Sequence, residues 1–232
     1  MKLQTSLLQV NELPKINNCF LFSSLTDHQV KELDKYCVEK TFSKGDHIYS
    51  EGSKAEYIFF VVSGSVKVYT STFEGKEVIK NIVHSENILG EQAYAGTNVR
   101  LDSAKALDNI VTVVCIHVDD LRGLLQRFWE LNEKFISLIT KKLSRTETRV
   151  KSLIVDDARK RVIDFLKYNA KHKGRKIGFE LLVKHFMTQQ DIANYTGTSR
   201  QTVTSILNDL KKTNMIYFKR NSILIRDIAN LA

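Results

Sequence analysis

The residues in this sequence best suited to recognising another molecule lie close together near its end, in Thr188-Gln189-Gln190-Asp191 and Thr198-Ser199-Arg200-Gln201-Thr202. Arginine donates two parallel hydrogen bonds to guanine O6 and N7, and glutamine pairs with adenine or another base edge. Arg200, Gln201, Thr204 and Ser205 are spaced to share the outer face of a helix whose inner stripe is Val203, Ile206, Leu207 and Leu210. The hydroxyls of Thr188, Ser199 and Thr202, with Gln190 beside them, suit phosphate contacts, which fix register rather than sequence.

Two short helices must hold these groups. Thr188 to Asp191 opens the first as a capping-box variant, Gly197 permits a tight turn, and Thr198 with Gln201 is expected to cap the second. That pattern predicts a helix-turn-helix with its polar tip in the major groove. A plain helical hairpin inside a larger core explains Val203 and Ile206 but not a tip of Arg, Gln, Thr and Ser. Beyond it, Met215 to Phe218 and Ile223 to Ile225 read as strands around the basic turn Lys219-Arg220-Asn221-Ser222, a wing whose Lys219 and Arg220 reach phosphate. No GxSxG, HExxH, P-loop or GxGxxG context occurs, so no enzyme is expected.

Upstream, Ile136, Ile139, Leu143, Thr146, Val150 and Leu153 recur at alternating steps of three and four, the seam of a two-stranded coiled coil. Leu131, Phe135 and Leu138 widen the apolar face only in the first turns, so the later turns are expected to pair with a second copy. From Lys40 to Val118 the texture is β-branched and aromatic with glycine turns, which predicts a sandwich or barrel and not a parallel sheet. Glu74-Gly75 marks a hairpin tip, and Asp27 to Tyr36 a short helix capped by Thr26 or Ser24.

The formal net charge is +9, with 35 Lys and Arg against 26 Asp and Glu, which favours a polyanionic partner. Much of the excess lies at Lys141, Lys142, Arg145, Arg149, Lys151, Arg159, Lys160 and Arg161, beside the helix-turn-helix. Cys19, Cys37 and Cys115 are widely separated and give neither a metal knuckle nor a disulfide framework. No apolar run reaches the ~20 residues of a membrane span, and the start lacks a secretory pattern, so a cytoplasmic protein without membrane contact is expected.

Lys44-Gly45-Asp46, Glu51-Gly52, Phe60 to Val68, Leu89-Gly90-Glu91 and Thr198 to Val203 together resemble the Crp/Fnr family, named for the cyclic-AMP receptor protein and the fumarate-nitrate regulator. The resemblance covers roughly residues 20–226. It implies an α+β chain with a double-stranded β-helix (jelly-roll) sensor of the cyclic-nucleotide-binding type over 1–125, a dimerisation helix over 126–156 and a winged helix-turn-helix over 157–232. It further implies a homodimer on palindromic double-stranded DNA, an RNA polymerase partner and a small effector held around Gly90, Glu91, Gln92, Ala93, Arg100, Leu101, Asp102 and Thr146. The family's cyclic-nucleotide members follow Gly-Glu with Arg-Ser, whose guanidinium clamps the phosphate. Leu101 and Asp102 are counted into those places here, so the effector is expected not to be cyclic AMP, with Arg100 serving only after a register slip that would turn it outward.

An iron-sulfur cluster is not expected from these cysteines; His47, His84 and His117 read first as packing or surface residues, with a haem sensor as the lesser alternative. Gln201 and Ser205 replace the family's usual glutamate and frequent arginine, so the operator should differ from the best-known sites. Lys171 to Lys176 reads as a solvated basic loop. The competing reading is a small-molecule-binding regulatory module without a DNA-binding role. That reading needs a catalytic or membrane segment after the helix-turn-helix, and none is expected in the few residues up to Ala232.

Overall fold

A computed structural model describes residues 19–23, 25–184, 187–219 and 221–231. Of the sequence expectations, Arg220 and the alternative cap Ser24 lie outside the described residues. Helix α1 (Asp27–Asp34) starts at Thr26, whose hydroxyl accepts from the Gln29 amide while the Gln29 side chain accepts from the Thr26 amide. That reciprocal box satisfies two otherwise unpaired donors and fixes where the helix begins.

Eight strands follow: β1 (Cys37–Ser43), β2 (His47–Tyr49), β3 (Tyr57–Ser63), β4 (Ser65–Ser71), β5 (Glu77–His84), β6 (Asn87–Leu89), β7 (Ser103–Ala106) and β8 (Ile110–His117). They form two antiparallel sheets, β1-β8-β3-β6 and β2-β7-β4-β5. Phe59, Val61, Val66, Leu89, Ala104, Val113 and Cys115 are buried together in the core of this β-roll. Gly75 turns the β4–β5 hairpin at φ +76°, with its amide donating to Thr72. Gly64, at φ +85°, is required for a second reason: a Cβ there would lie 2.8 Å from the Ile110 carbonyl.

Helix α2 (Val118–Arg127) leads to α3 (Trp129–Val155), whose 27 residues span about 40 Å. Leu131, Phe135 and Leu138 are buried against the sensor. Further along, Ile136, Leu143 and Val150 stand exposed with Thr146, Leu143 at 57%. Ile139 is half-buried against the sensor core, and Trp129 extends the row of sevens at the start of the helix. A monomer leaves this stripe in water, which is the physical case for a partner helix.

The last third comprises α4 (Ala158–Lys173), β9 (Gly174–Ile177), β10 (Glu180–Lys184), α5 (Gln189–Thr196), α6 (Arg200–Lys212), β11 (Ile216–Lys219) and β12 (Ser222–Ile225). Its sheet runs β11-β12-β10-β9. Lys171 to Lys176 is therefore not a loop: Lys171, His172 and Lys173 close α4, where the two lysines meet the negative helix end, and Gly174 begins a strand. Sensor residues Tyr69, Ile79, Ile82 and Leu107 join the apolar core of this part, so the two pack as one body across β5. No helix among the described residues is long and apolar enough to cross a membrane.

The exposed stripe yields a direct expectation. Leu143→Asp places a charge at its centre and should convert a dimer to a monomer in sedimentation velocity at micromolar concentration. A variant that still sediments as a dimer would place the interface elsewhere.

Candidate DNA-reading surface and effector pocket

Thr188 caps α5: its hydroxyl accepts from the Asp191 amide at 3.0 Å, and the Asp191 carboxylate accepts from the Thr188 amide at 2.8 Å. Gly197 ends that helix at φ +63°, and a Cβ on it would come 3.0 Å from Leu153. The turn thus depends on glycine twice, for its backbone angle and for the approach of α3.

The second cap differs from expectation. Ser199, not Thr198, caps α6, accepting from the Thr202 amide at 3.0 Å, with the Ser199 and Thr202 hydroxyls 2.8 Å apart. One residue of turn geometry decides between adjacent hydroxyls that are equivalent in sequence. Arg200, Gln201 and Ser205 are exposed on the outer face of α6. Thr204 is not: half-buried, its hydroxyl donates to Gln189 Oε1 at 2.6 Å and ties the two helices together. Gln190 is exposed on α5 and bonds Asn194 at 2.8 Å. Lys219 is exposed at the end of β11, opposite Ser222. Asn208 continues the outer stripe seven residues beyond Gln201; its helical spacing was available in the sequence but is easily passed over beside the charged Asp209.

Inside the β-roll the expectation about Arg100 is corrected. Arg100 is only 5% exposed and faces inward, whereas Leu101 is exposed and Asp102 is buried. The chain leaves Gly90 through the 3-10 turn Glu91–Ala95 and the left-handed Gly96, and this path brings Arg100 and Asp102, two residues apart, to the inner side. Counting from the Gly-Glu pair could not supply the length of that turn. The Arg100 guanidinium lies over Tyr49, 4.5 Å from the ring centroid, and donates to the Gly90 carbonyl at 3.1 Å and to the Tyr57 carbonyl. Its Nε is buried without a partner. A Cβ on Gly90 would lie 2.3 Å from Arg100 Nη1, so this glycine makes room for the cation.

Asp102 accepts from the Tyr49 hydroxyl at 3.1 Å and from Lys80 at 3.4 Å. Burial, then the neighbouring Asp102 and Glu91 charges, push the Tyr49 hydroxyl far above its usual range. Glu91 is held by Lys142 of α3 at 2.6 Å. Gln92 and Ala93 sit on the same 3-10 turn, Ala93 buried. Thr146 is exposed one turn along α3 from Lys142, its hydroxyl donating to the Lys142 carbonyl at 3.0 Å.

Sequence reasoning missed the groups that join the sensor to the helix-turn-helix, because each belongs to one element and acts on another. Lys67 of β4 is buried and reaches Glu77 at 2.5 Å and Asp191 of α5 at 3.3 Å. Lys173 pairs with Asp108 at 2.5 Å. His84 bonds Ser65 at 2.7 Å and stacks on His172 with ring centroids 5.1 Å apart. Of the other candidate haem histidines, His47 bonds Ser50 at 3.0 Å and His117 caps α2. The three cysteines are free thiols; burial pushes Cys19 up to about 11 and raises Cys37 and Cys115 as well.

A β-roll, a long helix with an exposed apolar stripe and a capped, winged helix-turn-helix are the parts of a DNA-binding regulator. Residues 39–128 match the cyclic nucleotide-binding domain family and residues 160–232 the Crp-like helix-turn-helix domain. The chain is 28% identical over 212 residues to the CRP-like cAMP-activated global transcriptional regulator of Mycobacterium tuberculosis, covering 91% of this chain and 94% of that one. It is 28% identical over 220 residues to the fumarate and nitrate reduction regulatory protein of Yersinia pestis, covering 92% and 85%. FixK2 of Bradyrhizobium japonicum shares the fold at TM-score 0.74 and 21% identity, over 84% of this chain and 95% of that one. The chain belongs to the Crp/Fnr family of transcription regulators and carries that family's DNA-binding domain.

Two expectations follow from the geometry. Thr204→Val breaks the bond between the helices and should cost about 1 kcal/mol of stability in denaturant unfolding, while a random-site selection returns an unchanged logo. A shifted logo would restore Thr204 to the reading face. Burial, then His172, Lys173 and Arg145, hold His84 down to about 3 from an ordinary 6.5. A depressed histidine stabilises the fold fully above its unfolded value and loses that contribution as pH falls toward the folded one, by at most about 1.4 kcal/mol per pH unit. Melting temperature should therefore fall between pH 6.5 and 4.5 more steeply in the wild type than in His84→Gln; parallel curves would contradict this.

Proposed function

We propose that two copies associate along Ile136, Ile139, Leu143, Thr146, Val150 and Leu153 and bind a palindromic promoter site. The observation that carries this reading is the exposed first turn of α6, where Arg200 and Gln201 project from a capped helix-turn-helix beside a basic wing. A two-fold axis between the helices places half-sites about 34 Å apart, one helical turn of DNA. Arg200, Gln201 and Ser205 read base edges; Thr188, Gln190, Ser199, Thr202, Lys219 and Arg220 hold phosphate. The protein has three working parts, a sensor over 1–125, a dimer helix over 126–156 and a DNA-binding domain over 157–232. It acts in the cytoplasm with RNA polymerase as partner and catalyses no reaction itself.

The effector is a small anion in the β-roll. Glu91 and Asp102 are each paired with a lysine, so among the described residues the buried Arg100 guanidinium meets carbonyls and the Tyr49 and Phe59 rings but forms no ion pair, and its Nε is unpaired. An unpaired buried charge is costly, and an anion entering beside Gly90 relieves it. Hydroxyls on that effector would compete with Lys142 for Glu91, passing occupancy to the dimer helix. The inward Arg100 removes the reason for setting cyclic nucleotides apart, and the Mycobacterium tuberculosis relative is described as activated by cAMP.

Arg200→Ala should weaken binding to the selected site by about 1–3 kcal/mol and relax one base pair per half-site. Lys219→Ala should weaken all sequences alike and flatten the salt dependence. An unchanged logo at full affinity in the Arg200 variant would show that α6 is not the reader. For the sensor, calorimetric titration with cyclic AMP and cyclic GMP should give binding to the wild type that Arg100→Gln lowers at least about tenfold. No binding, or equal binding to both proteins, would refute an anionic effector of this class at Arg100.

A further inference from the structure

Where β5 ends against α4, two histidine rings lie face to face. His84, 2% exposed, closes β5, and His172 stands in the last turn of α4; their centroids are 5.1 Å apart and their planes inclined by 22°. Tyr168 packs on both, its ring centroid 5.4 Å from that of His84 and 4.6 Å from that of His172. β5 lies in the part that matches the cyclic nucleotide-binding domain and α4 in the part that matches the helix-turn-helix domain, so the stack belongs to the seam between them.

The surroundings of the stack do not suit a further positive charge. His84 Nδ1 lies 2.7 Å from the Ser65 hydroxyl, and its Nε2 is buried without a partner. Charged groups face the two rings from three sides: Arg145 of α3, Lys171 and Lys173 of α4, and Glu86 between β5 and β6. Lys173 is engaged by Asp108 at 2.5 Å, and among the described residues neither ring forms an ion pair with a carboxylate. Burial first, then His172, Lys173 and Arg145, hold His84 down to about 3, with Asn169 pulling the other way. Burial, then Arg145 and Lys171, also lower His172, against Glu86. Such a ring binds its proton once the seam opens and water reaches it, so opening becomes easier as pH falls below an ordinary histidine value, and the closed seam is fully favoured above it.

We propose that the His84–His172 stack is an acid-sensitive latch between sensor and DNA-binding domain: neutral, it holds α4 on β5; protonated, it lets α4 leave, and the helix-turn-helix loses its fixed setting. The switched element is the packed seam itself, and the change that biases it is charge on two rings beside Arg145 and Lys171. The latch rests on packing alone; only its consequence for DNA rests on the reading role proposed for α6.

Amide hydrogen exchange of the full-length protein without DNA, read by mass spectrometry at pH 7.5 and 5.5, tests the latch. Each variant is compared with the wild type at the same pH, so that intrinsic exchange chemistry cancels. With His84 at about 3 when packed and ordinary when exposed, the open population of the wild type should rise about tenfold between these two values. The rise should appear in β5 and α4 and leave β3 and β8, inside the sensor, protected. His84→Gln keeps a hydrogen-bonding side chain and His84→Phe keeps a ring in the stack, yet neither titrates; each should reduce the rise at least about threefold. Affinity for the selected DNA site should change at least about threefold more in the wild type than in either variant over the same range. An equal rise in the wild type and the variants, or one that β3 and β8 share, would overturn the latch. A confined rise with equal pH dependence of DNA affinity would overturn its consequence for DNA while leaving the α6 assignment to the Arg200 test. Should one His84 variant fail to fold, the other decides.

Discussion

The arrangement of this protein depends on one buried guanidinium. Arg149 leaves the dimer helix and donates to the carbonyls of Ile79 and Lys80 on the sensor and of Tyr195 on the helix-turn-helix. The Ile79 and Tyr195 carbonyls are part-buried, so removing the donor leaves acceptors that water does not readily replace. Around this point the apolar contact of Ile79 and Ile82 with the DNA-binding core, and the Lys67 and Lys173 ion pairs, add adhesion. Arg149 supplies direction: a planar fork fixes three segments in angle as well as distance.

That constraint gives the helix-turn-helix its setting. The capping boxes and the left-handed Gly197 are local and would form in many contexts, but Leu153 packs where any larger residue at 197 would have to go. The long helix α3 thus touches the turn that leads into α6. A rotation of α3 that a second copy imposes, or that an effector at Glu91 transmits through Lys142, has a short path to the surface bearing Arg200. Coupling of this kind needs two packed arrangements of a bistable interface, and a junction held by polar fork and ion-pair contacts is easier to repack than a purely apolar one.

The interior of the β-roll follows another rule. Aromatic rings and carbonyls can shelter a guanidinium, yet they do not neutralise it, and the lysines on Glu91 and Asp102 keep the two nearest carboxylates engaged elsewhere. Arg100 is consequently held but not ion-paired. Its place inside depends on Gly90, whose lack of a side chain leaves the volume that the guanidinium fills.

The sequence by itself determined the parts whose physics is local. Thr26 with Gln29 and Thr188 with Asp191 set helix starts, Gly75 and Gly197 set turns, the period of seven through Ile136, Leu143 and Val150 set an exposed stripe, and β-branched runs set strands. Each involves residues a few positions apart, where spacing alone fixes geometry. Tertiary structure decided the rest. Whether Arg100 or Leu101 faces inward turned on the path of a 3-10 turn; whether Thr204 reads DNA or clamps Gln189 turned on how α5 and α6 cross; and Lys171 to Lys173 became a helix end because α4 continues over the sensor. Lys67 with Asp191 and Arg149 with Ile79 lie more than 60 residues apart. Periodicity places a side chain on a face of its own element, but which element lies opposite is settled only when the whole chain packs.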